Sequence, residues 1–174
     1  MNLGDYCSEL YNWLPVKFHS EVYFVGGLLL NRQITDVDIF VYGTHESKIE
    51  MKLYDKFFSD DKKLDVLTSL STDDFYNTDS ENISLTEYIL TQGLTKQVSG
   101  FKFKKLTNDG ALLSKIAAFE QREDETFKDL PDIQILLKKF NFNISKNLLK
   151  VIRDFDLYDT FLKINKYIKI NNYY

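Results

Sequence analysis

Residues 22–41 read VYFVGGLLLNRQITDVDIFV, and this stretch decides the fold of the N-terminal part of the chain. Its first four residues are β-branched or aromatic and run directly into Gly26 and Gly27, which is typical of a buried strand that ends in a sharp turn. A short helix of at most two turns is predicted over LLLNRQ. Residues 36–42 then alternate between aliphatic side chains and acidic or aromatic ones, which predicts a second strand with one buried face.

The flanking sequence extends this pattern into a small α/β layer followed by a helical half. Apolar residues recur at helical spacing over residues 3–14 and stop before Pro15, and residues 46–58 also suit a helix. Residues 64–68, LDVLT, predict a third strand. The remaining predictions are a loop over 71–82, a helix over 84–92, a strand or hairpin arm over 97–106, and helices over 110–122, 130–140, 145–154 and 157–170.

Composition and length describe an ordinary globular chain. Of its 174 residues, 44% are apolar and 28% are charged, which argues against disorder and against a purely structural repeat. The expected fold class is α+β, with a small mixed β-sheet flanked by helices in residues 1–106 and a helical region in residues 107–174. Cys7 is the only cysteine and His19 and His45 are the only histidines, so a closed zinc site is excluded and a reducing, cytoplasmic location is expected. No stretch approaches the roughly 20 consecutive apolar residues of a membrane span, so no membrane partner is expected.

The net charge of −4 is unevenly distributed along the chain. Residues 1–134 hold 14 Lys and Arg against 23 Asp and Glu, whereas residues 135–174 hold 8 against 3. An acidic body that handles a polyanion usually needs metal ions, and a basic tail supplies contacts to a phosphate backbone. A solvated basic helix face explains the same tail equally well, and both interpretations stay open.

Three features, in order along the chain, predict a site for metal ions and a phosphate. Gly26 and Gly27 lack a Cβ, so the backbone can approach a ligand closely, and the helix that follows directs free N–H groups at it. Asp36 and Asp38 lie two residues apart on one strand, so both carboxylates project from one face with their Cα atoms about 7 Å apart. Asp65, in KLDVL, adds a third carboxylate if its strand pairs beside them. Oxygen ligands placed in this way suit Mg²⁺, and two ions about 3.5–4 Å apart can then bind, one at a triphosphate and one at an attacking hydroxyl.

Each feature also has a purely structural explanation. A Gly-Gly after a strand is most often a turn, and an Asp-x-Asp at the start of a strand is often a solvated rim or a cap. Arg32 either steers an incoming anion or caps the carbonyl groups at the end of its short helix. Asp65, between Leu64 and Val66, is harder to explain structurally, because a carboxylate in a hydrophobic strand is costly to bury without a partner. Occurring in this order within residues 26–65, the three features favour a metal-dependent phosphate site.

VYFVGGLLLNRQITDVDIFV followed by KLDVL resembles the core of the nucleotidyltransferase superfamily, which includes DNA polymerase beta, the CCA-adding enzymes and the aminoglycoside nucleotidyltransferases. The segment LLLNRQITDVDIFV is especially similar to the CCA-adding enzymes. The resemblance covers about residues 22–68 and implies the nucleotidyltransferase fold, with Asp36, Asp38 and Asp65 as catalytic ligands of two Mg²⁺ or Mn²⁺ ions. The spacing departs from the family, because only eight residues separate Gly27 from Asp36, about one helical turn fewer than the family pattern.

Residues 111–140, ALLSKIAAFEQREDETFKDLPDIQILLKKF, are similar to a block in the abortive-infection and toxin–antitoxin nucleotidyltransferases. By that resemblance, Lys115 approaches the nucleotide phosphates, and Asp129 or Asp132 holds Lys115 or closes the site. Lys115 and Arg122 lie seven positions apart on one helix face, so both cations can point the same way. The alternative is a pair of helix-surface salt bridges to Asp129 or Asp132, which contributes little stability.

The two resemblances together imply transfer of a nucleoside monophosphate from an NTP, such as ATP, to a hydroxyl group, with release of pyrophosphate. An RNA end, such as that of a tRNA, is the first candidate acceptor, because the basic tail and a lysine cluster can bind its backbone: Lys96, Lys102, Lys104 and Lys105. The second resemblance adds a toxin-type enzyme with a cognate antitoxin protein as partner. Two alternatives stay open: a small-molecule, aminoglycoside-like nucleotidyltransferase, and a non-catalytic module of the same fold that serves as an antitoxin or scaffold.

Overall fold

The chain forms two compact units. A computed structural model describes residues 3–26, 30, 36–43, 45–57, 63–67, 76–77, 83–97, 104–122 and 128–170. Unit 1 comprises Met1–Ser69 and Thr95–Thr107, and unit 2 comprises Leu70–Leu94 and Asn108–Tyr174. The polypeptide therefore leaves unit 1, contributes a first segment to unit 2, and returns to complete unit 1 before its C-terminal part begins. The domain limits expected from the sequence, 1–106 and 107–174, stay a prediction.

The described residues of unit 1 form a five-stranded mixed sheet with the strand order β3-β2-β1-β5-β4. The strands are β1 (Val22–Val25), β2 (Asp36–Val41), β3 (Lys63–Leu67), β4 (Thr95–Gln97) and β5 (Lys104–Leu106). β1 pairs antiparallel with β2 and parallel with β5, β2 pairs parallel with β3, and β4 pairs antiparallel with β5. These pairings confirm the first three predicted strands to within a residue at each end, and they confirm the mixed character of the sheet.

One face of this sheet packs against helices α1 (Leu3–Trp13) and α2 (Glu46–Phe57), with a short 3₁₀ helix over Val16–Phe18. The alternating pattern of β2 directs its aliphatic residues into this core, so Asp38 and Phe40 belong to the opposite face. The buried residues of the core are Tyr6, Cys7, Leu10, Tyr11, Leu14, Phe18, Val22, Phe24, Val37, Ile39, Val41, Ile49, Leu53, Phe57 and Leu64.

Unit 2 is helical in its described residues, apart from an isolated bridge between Tyr76 and Ser84. Its helices are α3 (Leu85–Thr91), α4 (Asn108–Gln121), α5 (Leu130–Lys139), α6 (Lys146–Asp154) and α7 (Tyr158–Ile170), which confirms the five helices predicted for this part of the sequence. α7 packs against α4, α5 and α6, and α4 also packs against α5. Among the residues described in the two units, no helix combines the length and apolar character needed to cross a membrane.

Candidate metal and phosphate site

The carboxylate of Asp38 lies directly against the backbone of Gly26. The antiparallel register of β1 and β2 places Val25 opposite Asp38, so the residue that follows β1 lies beside the Asp38 side chain. Gly26 has a φ of +67°, in the left-handed region that favours glycine, and a Cβ built on it would lie 1.6 Å from Asp38 Oδ2. Only a residue without a side chain therefore allows the Asp38 carboxylate to occupy this position.

Asp65 lies beside Asp38 on the neighbouring strand. β2 and β3 pair in parallel, with Asp38 in register with Asp65 and Asp36 in register with Lys63. Residues in register on adjacent strands lie about 4.8 Å apart and project from the same face of the sheet. Asp38 is half-buried and Asp65 is exposed, and both belong to the face of the sheet opposite the core. The expectation that the strand of Asp65 pairs beside the Asp-x-Asp strand is confirmed.

Part of the predicted site lies outside the described residues. This applies to Gly27, to Arg32 and to the side chain of Asp36, although the backbone of Asp36 is the first residue of β2. Among the side chains that are described, no group of three or more His, Cys, Asp or Glu residues is placed to hold a metal ion. Asp38 and Asp65 supply two hard oxygen donors on one face, and this pair fits Mg²⁺, which keeps part of its coordination shell for water and phosphate.

Aromatic residues and a lysine share the sheet face of Asp38. The centres of the Tyr23 and Phe40 rings lie 6.2 Å apart, and Lys104 Nζ lies 5.5 Å from the centre of the Tyr23 ring. The lysine is brought there by the parallel pairing of β1 with β5, which puts Tyr23 in register with Lys104. The sequence predicts Lys104 only as one member of a lysine cluster. Its position beside Tyr23 could not be predicted, because no local pattern indicates that β5 pairs with β1.

A second charged cluster connects α4 to α5 within unit 2. Lys115 Nζ donates hydrogen bonds to Asp129 Oδ1 at 3.0 Å and to Asp132 Oδ2 at 2.9 Å. Arg122 Nη1 donates to Asp129 Oδ2, also at 2.9 Å. The side chains of Asp129 and Asp132 are only 1% and 3% exposed, whereas those of Lys115 and Arg122 are 20% and 43% exposed, so two buried carboxylates pair with partly exposed cations. Both aspartates hold the lysine, where the resemblance implied one or the other.

The electrostatics of the cluster keep Lys115 charged. Burial alone would lower the pKa of Lys115, but the charges of Asp129 and Asp132 and their hydrogen bonds outweigh burial and raise that pKa above its usual value. Two cations, Lys115 and Arg122, face two carboxylates, so their charges balance within the cluster. These four residues belong to unit 2, whereas Gly26 and the paired carboxylates belong to unit 1.

Comparison with known proteins identifies no similar protein. No protein-family model matches it, and neither a curated protein nor a solved structure is significantly similar to it. The resemblance to nucleotidyltransferases therefore depends on the sequence motifs alone and stays a prediction.

Proposed function

We propose that the chain is a Mg²⁺-dependent nucleotidyltransferase, which transfers a nucleoside monophosphate from an NTP to an acceptor hydroxyl and releases pyrophosphate. The observation that carries this proposal is the contact between the Asp38 carboxylate and Gly26, with Asp65 in register beside it. An ordinary turn explains the positive φ of Gly26 by itself. The approach of one carboxylate to that glycine, with a second carboxylate alongside, favours a metal and phosphate site over a turn alone.

Each residue has a distinct role in the proposed reaction. Asp38 and Asp65 hold Mg²⁺ through their carboxylate oxygens, and Asp36 completes the set as the resemblance implies. Of the two ions, when bound, one would neutralise charge on the triphosphate and the other would lower the pKa of the acceptor hydroxyl. Backbone N–H groups at Gly26 and Gly27 bind the phosphates.

The chemical step needs little from the protein beyond positioning and charge. Asp65, the more exposed of the two described carboxylates, accepts the proton of the acceptor hydroxyl. The acceptor oxygen then forms a bond to the α-phosphorus of the NTP, and the bond from that phosphorus to the bridging oxygen breaks to release pyrophosphate. Arg32 and Lys115 belong to the proposal as nucleotide-binding residues through the resemblance, with Arg122, Asp129 and Asp132 as supporting residues.

The acceptor in this proposal is an RNA end. In unit 1, Lys96 and Lys105 are in register on β4 and β5 and share one face of the sheet, while Lys104 projects from the other face beside Tyr23. In unit 2, residues 135–174 carry eight Lys and Arg against three Asp. Both surfaces suit a phosphate backbone, whose contacts with lysine release counterions and weaken as salt rises. A toxin-type role with a cognate antitoxin protein extends the same proposal by resemblance.

Incubation of the full chain with Mg²⁺, each labelled NTP in turn and total tRNA tests the proposal. We expect label on the RNA, and we expect Asp38→Asn and Asp65→Asn to abolish transfer without changing the circular dichroism spectrum. Glu9→Gln, which alters an exposed acid on α1, is the matched control and should retain full transfer.

The other outcomes are equally informative. Label on an added aminoglycoside and none on RNA would identify a small-molecule nucleotidyltransferase. Absence of Mg²⁺-dependent NTP binding would favour the non-catalytic module, which does not require it. Full turnover in Asp38→Asn would contradict the proposed site.

A further inference from the structure

Unit 2 contains a half-open groove of 390 Å³ formed by the end of α5, the turn after it, α6 and α7. Its lining is mostly apolar and includes Phe142, Leu149 and Leu162. Phe142 and Leu162 leave 43% and 47% of their surface exposed, although both are large apolar residues. Exposed apolar side chains that converge on one concavity are typical of a surface that binds a partner.

The turn after α5 presents Phe142 to this groove through an unusual backbone conformation. Asn141 and Phe142 have φ values of 51° and 56°, in a region that a bulky residue rarely adopts. The N–H of Phe142 donates a hydrogen bond to the carbonyl of Leu137 at 2.9 Å, which closes the end of α5. The chain thus keeps a large ring at the surface in a costly backbone conformation, and such conformations cluster at binding sites.

The charge around the groove is mainly positive. Of the described residues that line it, Lys169 is the one with a charge, and none is acidic. Lys166 and Lys169 follow Leu162 on α7 at helical spacing and Asp159 precedes it by three positions, so two cations and one carboxylate lie on the same face of that helix as a groove residue. Both lysines are exposed. A partner that complements this surface combines apolar anchors with acidic side chains, whereas an RNA backbone would match the lysines and leave the apolar lining without a contact.

We propose that this groove binds an amphipathic helix of another protein, with acidic residues flanking the apolar face of that helix. In this mode of recognition, apolar side chains at positions i, i+3, i+4 and i+7 of the partner enter a hydrophobic groove. Phe142, Leu149 and Leu162 contact that apolar face, and Lys166 and Lys169 pair with the acidic flank. The inference concerns unit 2 alone and does not depend on the proposed transferase activity.

Selection of displayed peptides on the immobilised full chain tests the proposal. The library contains random peptides of about 16 residues, enough for about four helical turns. We expect the enriched peptides to carry apolar residues at helical spacing and a net negative charge. Synthetic copies should bind with an affinity that Phe142→Ser and Leu162→Ser each reduce by about tenfold or more. Lys169→Glu should weaken binding most at low salt, because surface charges are screened as salt rises.

Met51→Ser is the matched control, since Met51 is an exposed apolar residue of unit 1 and should leave the affinity unchanged. Enriched peptides that are neutral or basic, or that bind the groove variants as tightly as the unaltered chain, would overturn the proposal. The same holds if the library enriches nothing on the unaltered chain. It also holds if sedimentation shows a dimer that Leu162→Ser dissociates, because the occupant is then a second copy. Loss of tRNA binding in both Phe142→Ser and Leu162→Ser would likewise overturn it, because the apolar groove itself then binds RNA.

Discussion

Replacing Gly26 by alanine tests the candidate site at its tightest contact. The new Cβ would lie 1.6 Å from Asp38 Oδ2 and 2.6 Å from its Cγ, whereas real Cβ contacts essentially never fall below 3.0 Å. The Asp38 carboxylate must therefore retreat by roughly 1 Å or more, and a displacement of about 1 Å at a reacting centre can reduce the rate about a hundredfold. We expect Gly26→Ala to lose Mg²⁺-dependent transfer by at least that factor.

Gly93 provides the matched control for this substitution. Its φ is +69°, close to the +67° of Gly26, and no atom of the described residues lies within 4 Å of a Cβ built on it. Both alanine variants carry the cost of a left-handed backbone, about 1–2 kcal/mol in the free energy of unfolding. Gly26→Ala additionally forces the Asp38 side chain from its rotamer, at a cost of about 0.5–1.5 kcal/mol.

Urea denaturation and the labelled-NTP transfer assay, applied to both variants, separate the two effects. The expected result is a loss of stability in both proteins, larger in Gly26→Ala by about 0.5–1.5 kcal/mol, and a loss of transfer in Gly26→Ala alone. Full transfer by Gly26→Ala would refute the role of the Asp38 position. Equal loss of transfer by Gly93→Ala would show that the backbone cost, rather than the contact with Asp38, is responsible.

The buried charges and the buried thiol lead to further expectations. Lys115→Met leaves Asp129 and Asp132 buried without their shared cation, so the free energy of unfolding in urea should fall by about 3 kcal/mol. Arg122→Met removes a side chain that is 43% exposed and contacts one aspartate, so it should cost no more than about 1 kcal/mol, and the opposite order would contradict the assigned burial. The pKa of Lys115 is raised in the folded chain, so its contribution to the free energy of unfolding should be complete at neutral pH. That contribution should be lost as the pH rises through the usual lysine pKa and then through the raised one. Unfolding curves recorded at a series of pH values would measure the loss. Burial raises the pKa of Cys7 to about 12, so iodoacetamide should label this thiol only in denaturant. Mass spectrometry measures the labelling, and full labelling of the folded chain would contradict the burial of Cys7.

Local periodicity in the sequence predicts most of the secondary structure. The alternation over residues 36–42 identifies β2 and its buried face, because one side of that strand packs on the core. The recurrence of apolar residues from position 110 onwards identifies α4 to α7 for the same reason. The pairing of the Asp65 strand beside the strand of Asp38 is a condition of the predicted site that no local pattern establishes, and the parallel register of β2 and β3 meets it.

Local sequence patterns do not predict which distant segments come into contact. Tyr23 and Lys104 are 81 positions apart and meet because β1 pairs with β5, a choice that no pattern in either strand specifies. The approach of Asp38 to Gly26 depends on the antiparallel register of β1 and β2, which is set by the packing of the whole sheet. The burial of Asp129 is equally non-local, because a carboxylate just before a helix resembles a solvated cap in the sequence.

The order in which the strands of unit 1 are synthesised has a consequence for biosynthesis. On a ribosome, β1 to β3 emerge first, and β5 follows only after Leu70–Leu94, a segment of unit 2, has been translated. During that interval the nascent chain presents one edge of β1 with open hydrogen-bonding groups, and such an edge invites pairing with other newly made chains. Shortened versions of the protein that stop before Thr95 should therefore accumulate as inclusion bodies, and co-expression of chaperones that bind exposed strands should improve the yield of the full chain.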